Sequence, residues 1–295
     1  MEECRLCPRN CGVDRSKKTG FCGETNEIRA ARAALHMWEE PCISGERGSG
    51  TVFFSGCVLR CVFCQNGNIA DGMVGKKITI ERLADIFTEL QEKGAHNINL
   101  VTPTHFVPQI VEALKLAKKN GLTVPVVYNT GSYENVETIK MLEGLVDIFL
   151  PDLKYYSVEL SASYSKAPDY FERASAAINE MVRQAGIPVF DENGLMKKGV
   201  IVRHLLLPGC LSDSKKVIKY LYEKYGDRIF ISIMNQYTPM KGIGEKYPEL
   251  DRKVRKSEYD RLVDYAIELG VENGFIQEGE TATESFIPDF DMEGI

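Results

Sequence analysis

Short apolar runs alternate with amphipathic stretches along the chain from Thr51 onward. A continuous apolar run of about four to eight residues is typical of a strand that is buried on both faces of a sheet. Six such runs therefore predict six strands. They lie at residues 51–55, 97–101, 124–128, 146–150, 200–207 and 228–234.

Amphipathic helices are predicted between these strands, because apolar residues recur there at spacings of three and four. Strands that alternate with helices favour a parallel sheet with right-handed crossovers. Six strand–helix units are too few for a closed eightfold barrel. We therefore expect an open, partial (β/α)6 barrel of the α/β class, with a doubly wound sheet as the alternative. The helical patterns lie at residues 83–90, 107–114, 170–181, 217–221 and 259–266.

Two stretches depart from this alternation. Residues 187–199 contain an Asp-Glu-Asn-Gly sequence and predict a hairpin-like insertion before the fifth strand. Residues 1–50 are rich in Cys, Gly and Arg and show no long periodic segment. We expect a small cysteine-rich, metal-binding module at residues 1–50, followed by the barrel domain at residues 51–295.

Composition and charge narrow the class of protein. Apolar residues make up 44% and charged residues 26%, as in ordinary globular proteins. The net charge of -6 and the lack of a basic run argue against nucleic acid or an anionic membrane as the main partner. The sequence shows no secretory signal and no apolar run long enough to span a bilayer, so we expect a cytoplasmic protein.

Nine cysteines are the strongest chemical signal in the sequence. In a reducing compartment, clustered cysteines indicate metal ligation rather than disulfides. Cys42 and Cys210 stand apart and are predicted to be structural thiols. The other seven form two groups. They are Cys4, Cys7, Cys11 and Cys22, here called the quartet, and Cys57, Cys61 and Cys64, here called the trio.

The quartet has the spacing C-x2-C-x3-C-x10-C and supplies a complete set of four soft ligands. This set suits a tetrahedral zinc, a single iron or a second iron–sulfur cluster, and the spacing leaves all three open. Because no ligand is missing, we expect a structural or electron-relaying role rather than a catalytic one.

The trio directly follows the first predicted strand, so its thiols are expected at the carboxyl edge of the sheet. Iron–sulfur clusters normally take four thiolates. Three thiolates would leave one iron of a four-iron cluster open to a ligand that is not protein. A structural zinc knuckle is the alternative, but zinc sites of that kind usually require four protein ligands.

The C-x3-C-x2-C spacing of the trio, with Phe63 just before the last cysteine, resembles the signature of the radical S-adenosylmethionine (SAM) superfamily. In that superfamily the methionine moiety of SAM chelates the fourth iron, and an electron from the cluster breaks SAM into a 5′-deoxyadenosyl radical. The resemblance implies a [4Fe–4S] cluster and SAM as cofactors, with Phe63 beside the cluster and the adenine. It also implies an electron donor such as flavodoxin or ferredoxin.

Four further segments resemble the pyruvate formate-lyase activating-enzyme group, most closely its PflX-type branch. The resemblance runs the length of the chain and implies a partial radical SAM barrel. The segments are residues 40–45, 97–106, 150–155 and 203–209.

Polar side chains that end the predicted strands are candidates for SAM binding, because parallel strands present their carboxyl ends to a ligand. Asp152 and Lys154 match an Asp-Leu-Lys element whose lysine reaches SAM in the activating enzymes; a solvated surface pair is the alternative. Arg203 interrupts an apolar run and needs an anion, either the SAM carboxylate or a nearby acid. Asn129 is a further candidate, equally compatible with loop capping.

One turn departs from the activating-enzyme pattern. Those enzymes usually carry a Gly-Gly-Glu turn after the second strand, which contacts the amino group of SAM. This chain has Thr102, Pro103, Thr104 and His105 there. The hydroxyls of Thr102 and Thr104 and nearby carbonyls are the candidates to accept from that ammonium.

The resulting hypothesis is a radical SAM enzyme that abstracts hydrogen from a substrate. The resemblance to activating enzymes implies that this substrate is a glycyl-radical protein. A small-molecule or peptide substrate is the enzymatic alternative. A non-catalytic iron–sulfur or zinc scaffold is the alternative from another class. Turnover of SAM separates the scaffold from the two enzymes.

Overall fold

One mixed sheet forms the centre of the protein in the computed structural model, which describes residues 3–277 and 288–295. Its strands are β1 (Ile28–His36), β2 (Ser49–Phe54), β3 (Lys76–Ile78), β4 (Ile98–Val101), β5 (Val126–Thr130), β6 (Ile148–Pro151), β7 (Val189–Phe190), β8 (Met196–Leu205), β9 (Phe230–Met234) and β10 (Gly274–Ile276).

The strands follow the order β10-β9-β8-β6-β5-β4-β2-β1-β3, and β7 pairs with β8. Every pairing from β2 to β10 along this path is parallel, whereas β1 is antiparallel to β2 and β3. The parallel strands follow one another in chain order, without the reversal that defines a doubly wound sheet. The α/β class with a mostly parallel sheet is thus confirmed, and the arrangement is consistent with the expected partial barrel.

The long helices cover one face of this sheet. The predicted apolar stripe of the first long helix is buried there, with Leu83, Phe87 and Leu90 at most 1% exposed. Across residues 3–277 and 288–295, no helix combines the length and apolar character that crossing a membrane requires. The helices are α1 (Pro41–Ser44), α2 (Gly67–Ala70), α3 (Ile80–Glu92), α4 (Val107–Lys119), α5 (Val136–Lys140), α6 (Val158–Ser165), α7 (Tyr170–Ala185), α8 (Leu211–Tyr225) and α9 (Lys256–Leu269).

The hairpin-like insertion is present as β7 and the start of β8. Its turn is closed by the Asp191 side chain, which accepts hydrogen bonds from the backbone N–H groups of Asn193 and Leu195. This is a turn in which an aspartate satisfies backbone donors locally.

The face of the sheet opposite the long helices is filled by a segment that follows β1. After β1, residues 39–44, here called the plug, enter this face. Cys42 and Ile43 of the plug pack with Val127, Ile148 and Leu150 in an apolar cluster separate from the helix-facing core. Residues 28–44 therefore contribute a strand and a plug to the sheet, while the division of the chain at residue 50 stays a prediction.

Candidate functional site

The trio lies in the loop that follows β2, at the carboxyl edge of the parallel strands, as its place in the sequence predicts. All three thiols are partly buried. Arg60, inside the loop, has a φ of 54°, which a non-glycine residue rarely adopts. The loop therefore has an uncommon backbone shape at Arg60, and Cys57 and Cys61 lie close enough to Cys64 to affect its pKa.

Burial sets the protonation of Cys61 and Cys64 in the metal-free chain. Burial, together with the neighbouring Cys57 and Cys61, raises the pKa of Cys64 to about 12. Burial also raises the pKa of Cys61, while the nearby Lys154 acts in the opposite direction. Cys61 and Cys64 therefore keep their protons until a metal displaces them. Three soft donors beside a fixed cation are a donor set that fits an iron–sulfur cluster with one iron left open.

A hydrogen-bond chain reaches the middle thiol of the trio. Ser165 Oγ lies 2.9 Å from Cys61 Sγ and donates to it, and Tyr155 Oη lies 2.7 Å from Ser165 Oγ. Donors to a ligating sulfur are one of the ways in which proteins tune iron–sulfur clusters. Neither Ser165 nor Tyr155 carries a sequence signal for this role, because both are remote from the trio in the chain.

Aromatic side chains enclose the loop on one side. Phe63 is 6% exposed. Its ring packs edge-on against Tyr155, Tyr164 and Tyr237, with ring centroids 6.3–6.4 Å apart. These four rings form a packed aromatic wall next to Cys64. The predicted contact of Phe63 with adenine stays a prediction.

Four of the predicted site residues converge in one ion-pair cluster, here called the network. Lys154 Nζ lies 2.6 Å from Asp152 Oδ2. Arg203 Nε donates to Asp152 Oδ1 at 2.9 Å, and its Nη1 donates to Glu39 Oε2 at 3.0 Å. Arg203 Nη2 donates to Asn129 Oδ1 at 2.6 Å. The network thus joins the ends of β5, β6 and β8, where parallel strands bring polar side chains together.

The charges of the network stabilise one another. Burial alone would raise the pKa of Asp152, but Arg203 and Lys154 hold it below its ordinary value. Burial likewise opposes the charge of Lys154, and the carboxylate of Asp152 together with Cys61 raises the pKa of this lysine above normal. Arg203 is held by two carboxylates, so the nearby acid that the sequence left open is present as Asp152 and Glu39.

Glu39 is the network residue that sequence reasoning missed. It lies in the plug, and its Oε1 also accepts from Asn99 Nδ2 at 2.9 Å and from Asn129 Nδ2 at 3.2 Å. Burial raises the pKa of the adjacent Glu40, which Arg203 opposes. Two consecutive acids just before a buried segment were the only available signal.

The turn after β4 places its two threonines differently. Thr102 has a φ of 55°, a strained value for a β-branched residue. Thr104 Oγ1 donates to Glu134 Oε1, which lies outside the network, at 2.7 Å. Thr130 Oγ1 and Tyr128 Oη donate to the same carboxylate oxygen, at 2.6 Å and 3.1 Å. Thr102 thus lies in the strained part of the turn, while Thr104 is committed to a buried acid that the sequence did not reveal.

Two buried histidines hydrogen-bond to the backbone just after β2 and β6. His105 Nε2 lies 2.6 Å from the Ser55 carbonyl oxygen, and His204 Nδ1 lies 2.7 Å from that of Leu153. Burial lowers the pKa of His105 to about 3 and lowers that of His204 as well. Both rings are therefore neutral and hydrogen-bonded to the backbone, in keeping with a packing role.

The quartet gathers in one place beside α5. Burial raises the pKa of Cys7 to about 12, with smaller upward effects from Glu134, Cys22 and Cys4. A β-carbon placed on Gly20 would lie 3.4 Å from the Sγ atoms of both Cys11 and Cys22. Within residues 3–277 and 288–295, no three His, Cys, Asp or Glu side chains are arranged to hold one metal ion. The second metal site stays a prediction.

Known proteins resemble this chain both in sequence and in structure. A model of the radical SAM superfamily matches residues 51–220. An uncharacterized protein of Methanocaldococcus jannaschii is 29% identical over 275 residues, which cover 90% of this chain and 75% of that protein.

Among solved structures, Streptococcus suis SuiB bound to S-adenosylmethionine is similar with a TM-score of 0.51 and 16% identity, over 76% of this chain and 48% of SuiB. SuiB bound to the precursor peptide SuiA gives a TM-score of 0.51 and 14% identity, over 78% of this chain and 48% of that chain. This chain therefore spans about half the length of SuiB, and the likeness is one of fold.

Proposed function

Because the chain belongs to the radical SAM superfamily, we propose that it is an enzyme that cleaves SAM reductively, with the trio as the ligands of its [4Fe–4S] cluster. When bound, the cluster and SAM supply a 5′-deoxyadenosyl radical that abstracts a hydrogen atom from a substrate. The observation that carries this proposal is the trio itself: three partly buried thiols at the carboxyl edge of a parallel sheet, with the Lys154 ammonium beside Cys61.

We assign the carboxylate of the SAM methionine to Lys154. This lysine is the network residue beside Cys61 of the trio, and its ammonium has donors beyond the one that Asp152 accepts. Arg203, by contrast, directs its Nε, Nη1 and Nη2 groups to Asp152, Glu39 and Asn129. Arg203 and Asn129 therefore act as positioning residues that fix Asp152, and Asp152 in turn fixes Lys154.

We assign the amino group of SAM to the turn at Thr102. Its positive φ is a strain of about 1–3 kcal/mol, and strain of this kind concentrates at functional sites. The turn ends β4, next to Asn129 of β5, whose carbonyl accepts from the Thr102 N–H. Thr104 supports the turn from behind through Glu134.

The finer fold and the partners are proposals of the same kind. A partial radical SAM barrel is supported by the sequential order of the parallel strands and by a plug that fills the face opposite the helices. A PflX-type relationship is supported by the four segments that resemble activating enzymes. From it we infer a cytoplasmic enzyme that receives electrons from flavodoxin or ferredoxin and takes hydrogen from a glycyl-radical protein.

The test is formation of 5′-deoxyadenosine from SAM by the anaerobically reconstituted protein with dithionite. The wild type is expected to form this product, and Cys57→Ala, Cys61→Ala and Cys64→Ala are each expected to lose it. Cys42→Ala is the matched control, because this buried thiol lies in the plug and outside both cysteine groups. A cluster-loaded wild type without product would overturn the enzymatic proposal, and product from a trio variant would overturn the ligand assignment.

A further inference from the structure

Two hydrogen bonds join the end of α6 directly to the loop of the trio. The N–H of Val62 donates to the carbonyl oxygen of Tyr164 at 2.9 Å. Beside this bond, Ser165 Oγ donates to Cys61 Sγ at 2.9 Å. The backbone bond fixes the distance between the helix end and the loop, so the Ser165 hydroxyl is held within hydrogen-bond distance of the thiol.

The hydroxyl of Ser165 is directed away from its own helix. A helical serine can donate to a backbone carbonyl one turn earlier, and Ser161 of α6 does so toward Val158 at 3.1 Å. The partners of Ser165 Oγ are instead Cys61 Sγ and Tyr155 Oη. Ser165 is 0% exposed, so water does not compete with the thiol for this hydroxyl.

Tyr155 completes a chain of donors that ends at the sulfur. A hydroxyl carries a single proton. Because Ser165 donates its proton to Cys61, it must accept the proton of Tyr155, whose Oη lies 2.7 Å away. Hydrogen bonds in a chain polarise one another. The Tyr155 hydroxyl therefore strengthens the bond that Ser165 makes to Cys61.

Arg9, from the N-terminal segment, holds the same two parts of the chain together. Its Nε donates to the carbonyl of Val58 at 2.8 Å and its Nη2 to that of Leu59 at 3.4 Å, both in the loop of the trio. At the end of α6, its Nη2 donates to the carbonyl of Ser165 at 2.8 Å and its Nη1 to that of Lys166. This one side chain therefore bridges the loop and the helix end around the serine–cysteine bond.

Two aromatic rings hold the guanidinium of Arg9 in place. It lies 4.1 Å from the centroid of the Phe21 ring and 5.0 Å from that of the Tyr133 ring. Arginine combines stacking on rings with several donors in a fixed, planar arrangement, whereas lysine is a flexible point charge. An Arg9→Lys substitution therefore keeps the positive charge and loses the bridge.

From these contacts we propose that the Ser165 hydroxyl raises the reduction potential of the cluster that the trio binds, and that Arg9 is the positioning residue that keeps this hydroxyl on Cys61. The inference rests on the proposed function. A low-potential one-electron reductant supplies one electron, and the proton stays on Ser165 Oγ. The added electron makes the thiolates more negative, which strengthens a hydrogen bond to sulfur. The bond from Ser165 therefore favours the reduced state.

Potentiometric titration of the reconstituted protein without SAM, followed by electron paramagnetic resonance, tests the role of Ser165. Ser165→Ala is expected to make reduction about tenfold less favourable, which for one electron is a shift of about 59 mV to lower potential. Ser161→Ala is the matched control, because this buried serine of α6 bonds to its own helix. Its potential is expected to equal that of the wild type. An unshifted potential in Ser165→Ala, or an equal shift in Ser161→Ala, would overturn the proposal.

Tyr155→Phe is a second variant that leaves the Ser165 hydroxyl in place. It keeps the buried ring and removes only the proton that Ser165 accepts. The potential is expected to fall in the same direction as in Ser165→Ala and by a smaller amount, because Ser165 still donates to Cys61. A potential equal to that of the wild type would overturn the chain of donors.

Arg9→Lys tests the bridge without changing the charge. It is expected to lower the potential by less than Ser165→Ala does, and to add nothing to that shift in the double variant, because both changes act on the same bond. Arg5→Lys is the control, since the side chain of Arg5 is 74% exposed, and its potential is expected to equal that of the wild type. Additive shifts in the double variant would overturn the positioning role of Arg9.

These titrations separate the inference from the proposed function. They are made without SAM, so a cluster-loaded wild type that forms no 5′-deoxyadenosine would overturn the proposed function and leave the comparison of potentials standing. A Ser165→Ala protein that cleaves SAM and has the wild-type potential would overturn this inference alone.

Discussion

Glu134→Gln is the substitution whose effect the structure defines best. Glu134 is 1% exposed, and its Oε2 has no hydrogen-bond partner in the described residues. Burial raises its pKa from 4.5 to about 7, while hydrogen bonds from Thr130, Thr104 and Tyr128 act in the opposite direction. Glutamine keeps an oxygen for these three donors and does not titrate.

The sign of the effect follows from this raised pKa. The carboxyl ionises more readily in the unfolded chain than in the folded one, so its ionisation favours unfolding. The contribution of Glu134 to stability is therefore fully present below about pH 4.5 and is lost as the pH rises toward about 7. A difference of about 2.5 pH units corresponds to about 3.4 kcal/mol, of which about 2.5 kcal/mol falls between pH 5 and 8.

Urea unfolding of the metal-free, reduced protein, followed by circular dichroism at pH 5, 6, 7 and 8, measures this contribution. Other groups titrate in the same range, so the informative quantity is the difference in unfolding free energy between Glu134→Gln and the wild type. We expect this difference to shift in favour of the variant by about 2.5 kcal/mol from pH 5 to pH 8. A difference that stays constant with pH would refute the reasoning.

Three further substitutions test the proposed site. Lys154→Met is expected to weaken SAM binding to the reconstituted protein by about 1.5–3 kcal/mol, the range of a charged hydrogen bond, and calorimetry showing unchanged affinity would contradict the assignment. Arg203→Met leaves Asp152 and Glu39 buried without their cation and should cost about 3–5 kcal/mol in urea unfolding, with a smaller loss for Arg203→Lys; equal losses would argue against a charge effect. Thr102→Gly should raise the unfolding free energy by about 1 kcal/mol by releasing the positive φ, and a loss of stability would show that the side chain matters more than the strain.

The carboxyl edge of the sheet was predictable because strand ends can be located from the apolar runs. Asn129, Asp152 and Arg203 each follow or interrupt such a run, and parallel strands bring their ends to one edge. Their convergence in the network follows from that geometry alone. The trio was placed by the same reasoning, since it directly follows the first predicted strand.

Other features carry no local pattern. β1 is rich in alanine, which has a low preference for strands, and it forms because it pairs with β2 and β3. Glu39 lies in a connection, and its cation is 164 residues away in the chain. Glu134 follows β5 in a loop, where nothing in the sequence distinguishes a buried acid from an exposed one. Each depends on partners that only the folded chain brings near.

The plug also has a consequence for the order in which the protein can fold. Glu39 is synthesised before Arg203, which lies 164 residues further along the chain. Until β8 is in place, a folded N-terminal part would bury a carboxylate without its cation, which is strongly unfavourable. Closing so long a loop is also slow. Nascent chains that end before β8 (Met196–Leu205) are therefore expected to stay incompletely folded and to depend on chaperones. The sheet is expected to become stable only once β8, its fifth parallel strand, has been synthesised.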